Sequence, residues 1–248
     1  MHDNDGGSLD AVRVRRDGNV LHITLNTPDN GNLVSAPMGE AIIAALADLD
    51  PQVRLVVLRG AGADFCAGRV SPTPAKGAPP PSGERLRQLV AQPALDLYDA
   101  IKATPVPTLA IVQGRAIGVG TALAAVCDLT LAAEDSCFQV PEMERDIPPT
   151  LVMAALCDRV PPKSLAWLVL SRREWSGSEA RAGGLVSWTA AADRLEQEAQ
   201  ALIATLAEGS PVALRACKQY LTHAPAMSPQ AASAFAAHLC ATALSARY

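Results

Sequence analysis

The sequence predicts an α/β fold built around a parallel sheet, and three observations carry that prediction. Met38, Ile42, Ile43, Leu46 and Leu49 recur at helical spacing, and the continuous apolar run Arg54-Leu55-Val56-Val57-Leu58-Arg59, of strand length, follows them. A strand, a helix and a second strand in that order imply a parallel crossover. Next, Ala110-Ile111-Val112 runs into the glycine-punctuated turn Gln113-Gly114-Arg115-Ala116-Ile117-Gly118-Val119-Gly120. The turn opens directly onto Thr121-Ala122-Leu123-Ala124-Ala125-Val126, so small and apolar that this helix should be buried. Finally, the segments after Trp188 all carry helical patterning, so alternation gives way to a helical end.

The remaining elements follow in order. Val12 and Val14, then Val20, Leu21, Ile23 and Leu25, flank the turn dipeptide Asp17-Gly18 and predict a β-hairpin, which Thr27-Pro28-Asp29-Asn30-Gly31 ends. Ser35 is placed to cap a helix starting near Pro37 and stopping at Asp50-Pro51. Across 70–83 the composition shifts to Pro, Gly, Ser, Thr and Ala, with Pro79-Pro80-Pro81, and predicts a loop. A helix over 84–103 follows, interrupted around Pro93. Short strands are expected at 129–133 and 137–140 around Glu134-Asp135-Ser136, then a polar, proline-bounded segment over 141–149 and another apolar helix. Residues 177–188 predict a short helix capped by Ser178 and stopped by Gly183-Gly184, then a last strand, Leu185-Val186-Ser187-Trp188. An amphipathic helix spans 193–208, and Ser210-Pro211 and Ser228-Pro229 each start a further helix. Their Ala-rich faces suit either contact with another subunit or a self-contained lid.

With 248 residues, 49% of them hydrophobic and 19% charged, the chain can bury one large core. A formal net charge of −4, with Lys and Arg never clustered beyond a pair, argues against nucleic acid or an anionic membrane as the partner. Cys66, Cys127, Cys137, Cys157, Cys217 and Cys240 are scattered through apolar segments without zinc-type spacing. They read as buried thiols in a reducing compartment, with no metal site. The polar, acidic start Met1-His2-Asp3-Asn4-Asp5-Gly6-Gly7 resembles neither a secretory signal nor a transit peptide, and no apolar run reaches membrane-spanning length. A cytoplasmic protein with a frayed start is expected.

A helix N-terminus presents unsatisfied N–H donors and partial positive charge, and glycines let a substrate oxygen come close to the backbone. The 110–128 stretch can therefore hold an anion, or it can be an ordinary buried strand, turn and helix; its glycine spacing is not that of a dinucleotide site. Three segments decide the comparison with known families. Asp64-Phe65-Cys66-Ala67-Gly68-Arg69 follows a buried strand, the glycine stretch ends in Cys127-Asp128, and Phe138-Gln139-Val140-Pro141-Glu142 comes after it. In order and spacing these closely resemble the crotonase (enoyl-CoA hydratase/isomerase) superfamily, over nearly the whole chain up to Cys217-Lys218.

The resemblance implies a spiral core of ββα units over 1–190 and a helical trimerisation region over 191–248, assembled as a homotrimer or a dimer of trimers. It implies an acyl-CoA substrate, no nucleic acid or membrane partner, and no cofactor beyond the coenzyme A thioester itself. Two backbone N–H groups would hold an enolate-like oxyanion, and by alignment they fall on Arg69 and Val119, with Gly68, Gly118 and Gly120 shaping the hole. Such donors are worth roughly 3–4 kcal/mol each in comparable sites. The Arg69 side chain is unusual for the family and would reach a phosphate or substrate carboxylate, or stay in solvent. Ala67 and Lys218 match positions that approach coenzyme A.

Hydratases of the family carry two glutamates. The first position here is Ala122, which cannot move a proton, and the second is Glu142. Hydration needs one group to activate water and another to protonate carbon, whereas a double-bond shift can run on one carboxylate. The resemblance thus favours a single-glutamate enoyl-CoA isomerase with Glu142 as catalyst. Hydratase, dehydratase, decarboxylase or thioester hydrolase chemistry, or acyl-CoA binding without turnover, are the alternatives. Glu144 and Asp146 are candidates for a second carboxylate, or are simply solvated. His238 is either an accessory group, as in some decarboxylases of the superfamily, or structural. Ile147-Pro148-Pro149-Thr150-Leu151 stands where a glycine-rich segment is usual, so the acyl wall is rebuilt.

Overall fold

The computed structural model describes residues 11–70 and 80–246. The stretch 1–10, residues 71–79 of the expected proline-rich loop and the last two residues lie outside them. The hairpin forms as expected, with β1 (Val12–Asp17) antiparallel to β2 (Val20–Leu25) and Asp17 opposite Val20. From β2 the main sheet continues in parallel through β3 (Leu55–Gly60), β4 (Thr108–Val112), β6 (Leu129–Ala133) and β9 (Trp188–Ala190). A smaller sheet holds β5 (Arg115–Ile117), parallel to β7 (Cys137–Gln139), which pairs antiparallel with β8 (Trp175–Ser176).

Strand periodicity divides the core in two. Val56, Leu58, Ala110 and Val112 point to one face, and Leu55, Val57, Leu109 and Ile111 to the other. The first face is covered by α1 (Ala36–Ala47), α3 (Gln92–Ala103) and α4 (Val119–Val126), the second by Leu195, Ala199 and Ile203 of α8 (Leu195–Glu208). Both faces are dry, which is why these strands read as unbroken apolar runs. Ser35 caps α1 by accepting from the Met38 N–H at 3.4 Å.

Three expectations are corrected. The last strand is displaced to 188–190, because Ser187 is used differently: its hydroxyl accepts from the Thr130 N–H and its N–H donates to the Thr130 carbonyl. The short helix α7 (Gly177–Ala182) is capped by Ser176, not Ser178, since only Ser176 has Glu179 three positions on to complete the reciprocal capping box. The 84–103 helix is interrupted just ahead of Pro93, as expected. There α2 (Gly83–Leu86) passes through a π-turn (Arg87–Ala91) into α3, with Pro93 in its first turn. Of the six cysteines only Cys66 and Cys127 are buried; Cys137 is half-buried and the other three are exposed.

Between β7 and α7 run a 3₁₀ turn (Glu142–Arg145), α5 (Thr150–Leu156) and α6 (Pro162–Ser171). The chain finishes in α9 (Pro211–His223) and α10 (Pro229–Ser245), joined by stacking of Tyr220 on Phe235 with ring centroids 6.1 Å apart. Among the described residues no helix is long and apolar enough to cross a membrane. What ties α9 to the sheet is a buried ion pair. Lys218, 4% exposed, donates to both oxygens of Asp128 at 2.8 and 2.7 Å, and Asp128 also accepts from the Thr108 N–H and hydroxyl. Lys218 is thus committed to the core and does not reach a nucleotide from this position, a correction to the expected coenzyme A contact. Lys218→Met should lower the free energy of unfolding by about 3–5 kcal/mol, read by denaturant titration, because it strands a buried carboxylate.

Candidate active site

Two segments distant in sequence are laced together by backbone hydrogen bonds. The Phe65 and Cys66 N–H groups donate to the Gln113 and Arg115 carbonyls, and the Ile117 N–H returns to the Cys66 carbonyl at 2.9 Å. On its outer side the same segment pairs with residue 34: the Val34 N–H donates to Gly68 O, and the Val70 N–H to Val34 O. In that parallel register the bonds to Val34 come from residues 68 and 70, so the Arg69 N–H is turned away from it. Val119 is the first residue of α4, and its N–H is one of the helix's orphan donors.

Glycine is required at two positions here. Gly118, which precedes α4, has φ +54, and a Cβ there would stand 2.5 Å from Glu142 Oε1. Gly120 lies against the Cys66 carbonyl, which a Cβ would meet at 2.1 Å. Gly120 therefore shapes the site from behind, by letting α4 press onto the 64–69 segment.

A cavity of about 370 Å³ opens at this junction, and Ala67, Gly68, Arg69, Gly118, Val119 and Glu142 all line it. Arg69 and Val119 also line a second cavity of about 170 Å³ on the side of α1 and α3, so they stand at the partition between the two. Ile147, Pro148, Pro149, Leu151 and Val152 supply an apolar wall of the larger cavity. Glu142, held on the 3₁₀ turn, is the only carboxylate residue lining it among the described residues. Its Oε2 is buried without a hydrogen-bond partner, and burial pushes the carboxyl above the usual glutamate range.

Other expectations separate here. Ala122 is fully buried in the core beneath the cavity lining. Glu144 and Asp146 are exposed and do not line the main cavity, and His238 is exposed on α10, whose main contacts are with α9 and the turn at 224–226. The Arg69 guanidinium neither hangs in solvent nor awaits a phosphate. It donates to the Val90 carbonyl at 2.6 Å and the Leu89 carbonyl at 3.4 Å. Pro93, lacking an N–H, gives Leu89 no i+4 donor, which accounts for the longer of the two contacts, and both accepting carbonyls lie in the π-wound 87–91 stretch.

Sequence reasoning missed three contributors. Asn32, fully buried at φ +58, donates to the Ala61 and Asp64 carbonyls at 2.8 Å and so fixes the approach to the 64–69 segment. Asp64 is held below the usual carboxylate range by its two-point pairing with Arg115. Tyr98 reads as one more core position beside Ala94, Leu97 and Ile101, yet its ring lines the cavity and its hydroxyl is buried without a partner. An orphaned buried hydroxyl costs about 1–3 kcal/mol.

The comparisons with known proteins identify the family. The family model described as Enoyl-CoA hydratase/isomerase matches residues 15–246. The chain belongs to this family, the crotonase superfamily. It is 30% identical over 229 residues to the peroxisomal Delta(3,5)-Delta(2,4)-dienoyl-CoA isomerase of Arabidopsis thaliana, covering 86% of this chain and 81% of that one. The crystal structure of a Mycobacterium smegmatis enoyl-CoA hydratase superposes with a TM-score of 0.86 at 29% identity, over 94% of this chain and 90% of that one. A Thermobifida fusca protein solved in complex with CoA matches at 0.82 and 26%, over 96% and 93%. This crotonase-fold chain is accordingly an enzyme of the hydratase/isomerase type.

Two outcomes follow for stability. Because the folded state raises the Glu142 pKa, ionising it opposes folding at neutral pH, so Glu142→Gln should be more stable than wild type there. That gain should shrink as pH falls through the raised pKa and vanish below the unfolded value near 4.5, in thermal melts run from pH 4 to 8. Gly120→Ala should cost roughly 2 kcal/mol or more, read by chemical denaturation, since its steric partner is backbone.

Proposed function

We propose that this crotonase is an enoyl-CoA isomerase that moves a double bond with one carboxylate. The observation that carries the reading is that, among the described residues, Glu142 alone brings a carboxylate to the cavity, while Ala122 occupies the other acidic position of the hydratases. Substrate would enter as an acyl-CoA, as the CoA complex of the Thermobifida fusca relative supports. The thioester oxygen would sit between the Arg69 and Val119 N–H groups. Glu142 takes a proton from C2, and the C–H electrons pass into a dienolate whose charge rests on that oxygen. The protonated Glu142 then returns the proton to C4, leaving the double bond conjugated with the thioester. No second acid or base is needed.

The chain-end helices support the expected assembly. Leu221 and Leu244 stand 64% and 49% exposed on α9 and α10, an apolar face that a trimer contact would cover.

The deciding assay is conversion of 3-hexenoyl-CoA to its 2-enoyl isomer, with 2-hexenoyl-CoA hydration in parallel. Wild type should isomerise, with kcat/KM rising with pH through one ionisation above the normal glutamate range, and Glu142→Gln should lose about 10²–10⁴-fold. Full activity in the Gln variant, or hydration outrunning isomerisation in wild type, would overturn the proposal.

A further inference from the structure

We infer that Cys66 is a positioning residue of the oxyanion hole, its thiol holding the Gly68–Arg69 peptide so that the Arg69 N–H faces the substrate oxygen. This rests on the reading of the Arg69 and Val119 N–H groups as the donors to the thioester. The peptide joining Gly68 to Arg69 is trans, so its carbonyl and its N–H point in opposite directions. Whatever grips the Gly68 carbonyl therefore aims the Arg69 N–H. Two donors grip it, the Val34 N–H at 3.0 Å and the Cys66 Sγ at 3.2 Å. They occupy both acceptor positions of that oxygen, whereas the Arg69 N–H at the other end has no partner among the described residues. Gly68 itself, at φ +137, brings no side chain to fix the plane.

Cys66 is itself firmly anchored. It is fully buried, its N–H donates to the Arg115 carbonyl and its carbonyl accepts from the Ile117 N–H, both at 2.9 Å. The same carbonyl lies against Gly120 in the first turn of α4, the helix whose first residue is Val119. One residue thus meets both halves of the hole. Its main chain abuts the helix that carries the Val119 N–H, and its side chain holds the peptide that carries the Arg69 N–H. Burial pushes the thiol up to about 11, so at neutral pH it keeps its proton and stays a donor. Packing alone asks only for a small apolar side chain here; the bond to the Gly68 carbonyl is what the thiol adds.

Cys66→Ser keeps a donor and Cys66→Ala removes it, and both would be compared with wild type as the full chain. With 3-hexenoyl-CoA the Ala variant should lose about three- to tenfold in kcat with KM within about twofold, and the Ser variant should recover most of that loss. Isotope-edited infrared spectra of bound hexanoyl-CoA, labelled at the thioester carbon, give a second readout that needs no turnover and stands even where the isomerase reading fails. Wild type should lower the carbonyl stretch relative to the free ester, the Ala variant should give back part of that shift, and the Ser variant should keep it. Equal kcat and equal carbonyl stretch in all three proteins would overturn the inference. Equal impairment of the Ala and Ser variants would also overturn it, by showing that the sulfur only packs. The S–H stretch that wild type has and Cys66→Ser lacks tests the bond without the Ala variant. A hydrogen-bonded frequency is expected, and that of a free thiol would overturn the inference. A bound ester whose carbonyl stretch is unshifted in wild type would overturn the oxyanion reading and the inference together.

Discussion

The site depends on how closely α4 can press against the Cys66 carbonyl. Gly120 makes that approach possible, and the bonds from residues 65 and 66 to residues 113 and 115, with the return bond from Ile117, lock it. Everything the cavity offers is referred to this junction. It sets where the Arg69 N–H points, where the first N–H of α4 lies, and how near Gly118 comes to Glu142. Asn32 from one side and the Asp64–Arg115 pair from the other keep the 64–69 segment from relaxing away. Donors fixed in this way need no reorganisation when charge develops on a bound oxygen.

The electrostatics of the cavity are correspondingly spare. Among the described residues one carboxylate lines the cavity, lifted in pKa by its burial, and under the proposed reading the negative oxygen beside it would be held by neutral main-chain dipoles. A glutamate whose pKa sits nearer neutrality is a better shuttle than a fully solvated one, since it both gives and takes a proton at modest cost. The Lys218–Asp128 pair performs a different task behind the sheet, anchoring α9 beneath the first residue of β4.

Much of this was legible in the sequence because its signals are local. The hairpin turn, the Ser-Pro helix starts and the glycine stretch all carry their reasons within a few residues, whereas Glu142 was singled out only by the family resemblance of Phe138-Gln139-Val140-Pro141-Glu142. The misreadings concern partners far apart along the chain. Nothing near Lys218 announces an aspartate 90 residues earlier, nothing near Asn32 announces carbonyls at 61 and 64, and a tyrosine on an apolar helix face looks like filling until the cavity beside it is known. Ser178 was the wrong cap because the reciprocal glutamate, not the first serine inside the segment, fixes where a helix begins.

The Arg69 clamp links two places that sequence reading treats as unrelated. Pro93 removes a proton from the inside of a helix, and a side chain 24 positions earlier supplies protons from the outside. An ordinary residue at 93 would give Leu89 its own donor again and leave the guanidinium its shorter bond, to the Val90 carbonyl. A relative that lost only the arginine would keep a frayed turn over its cavity.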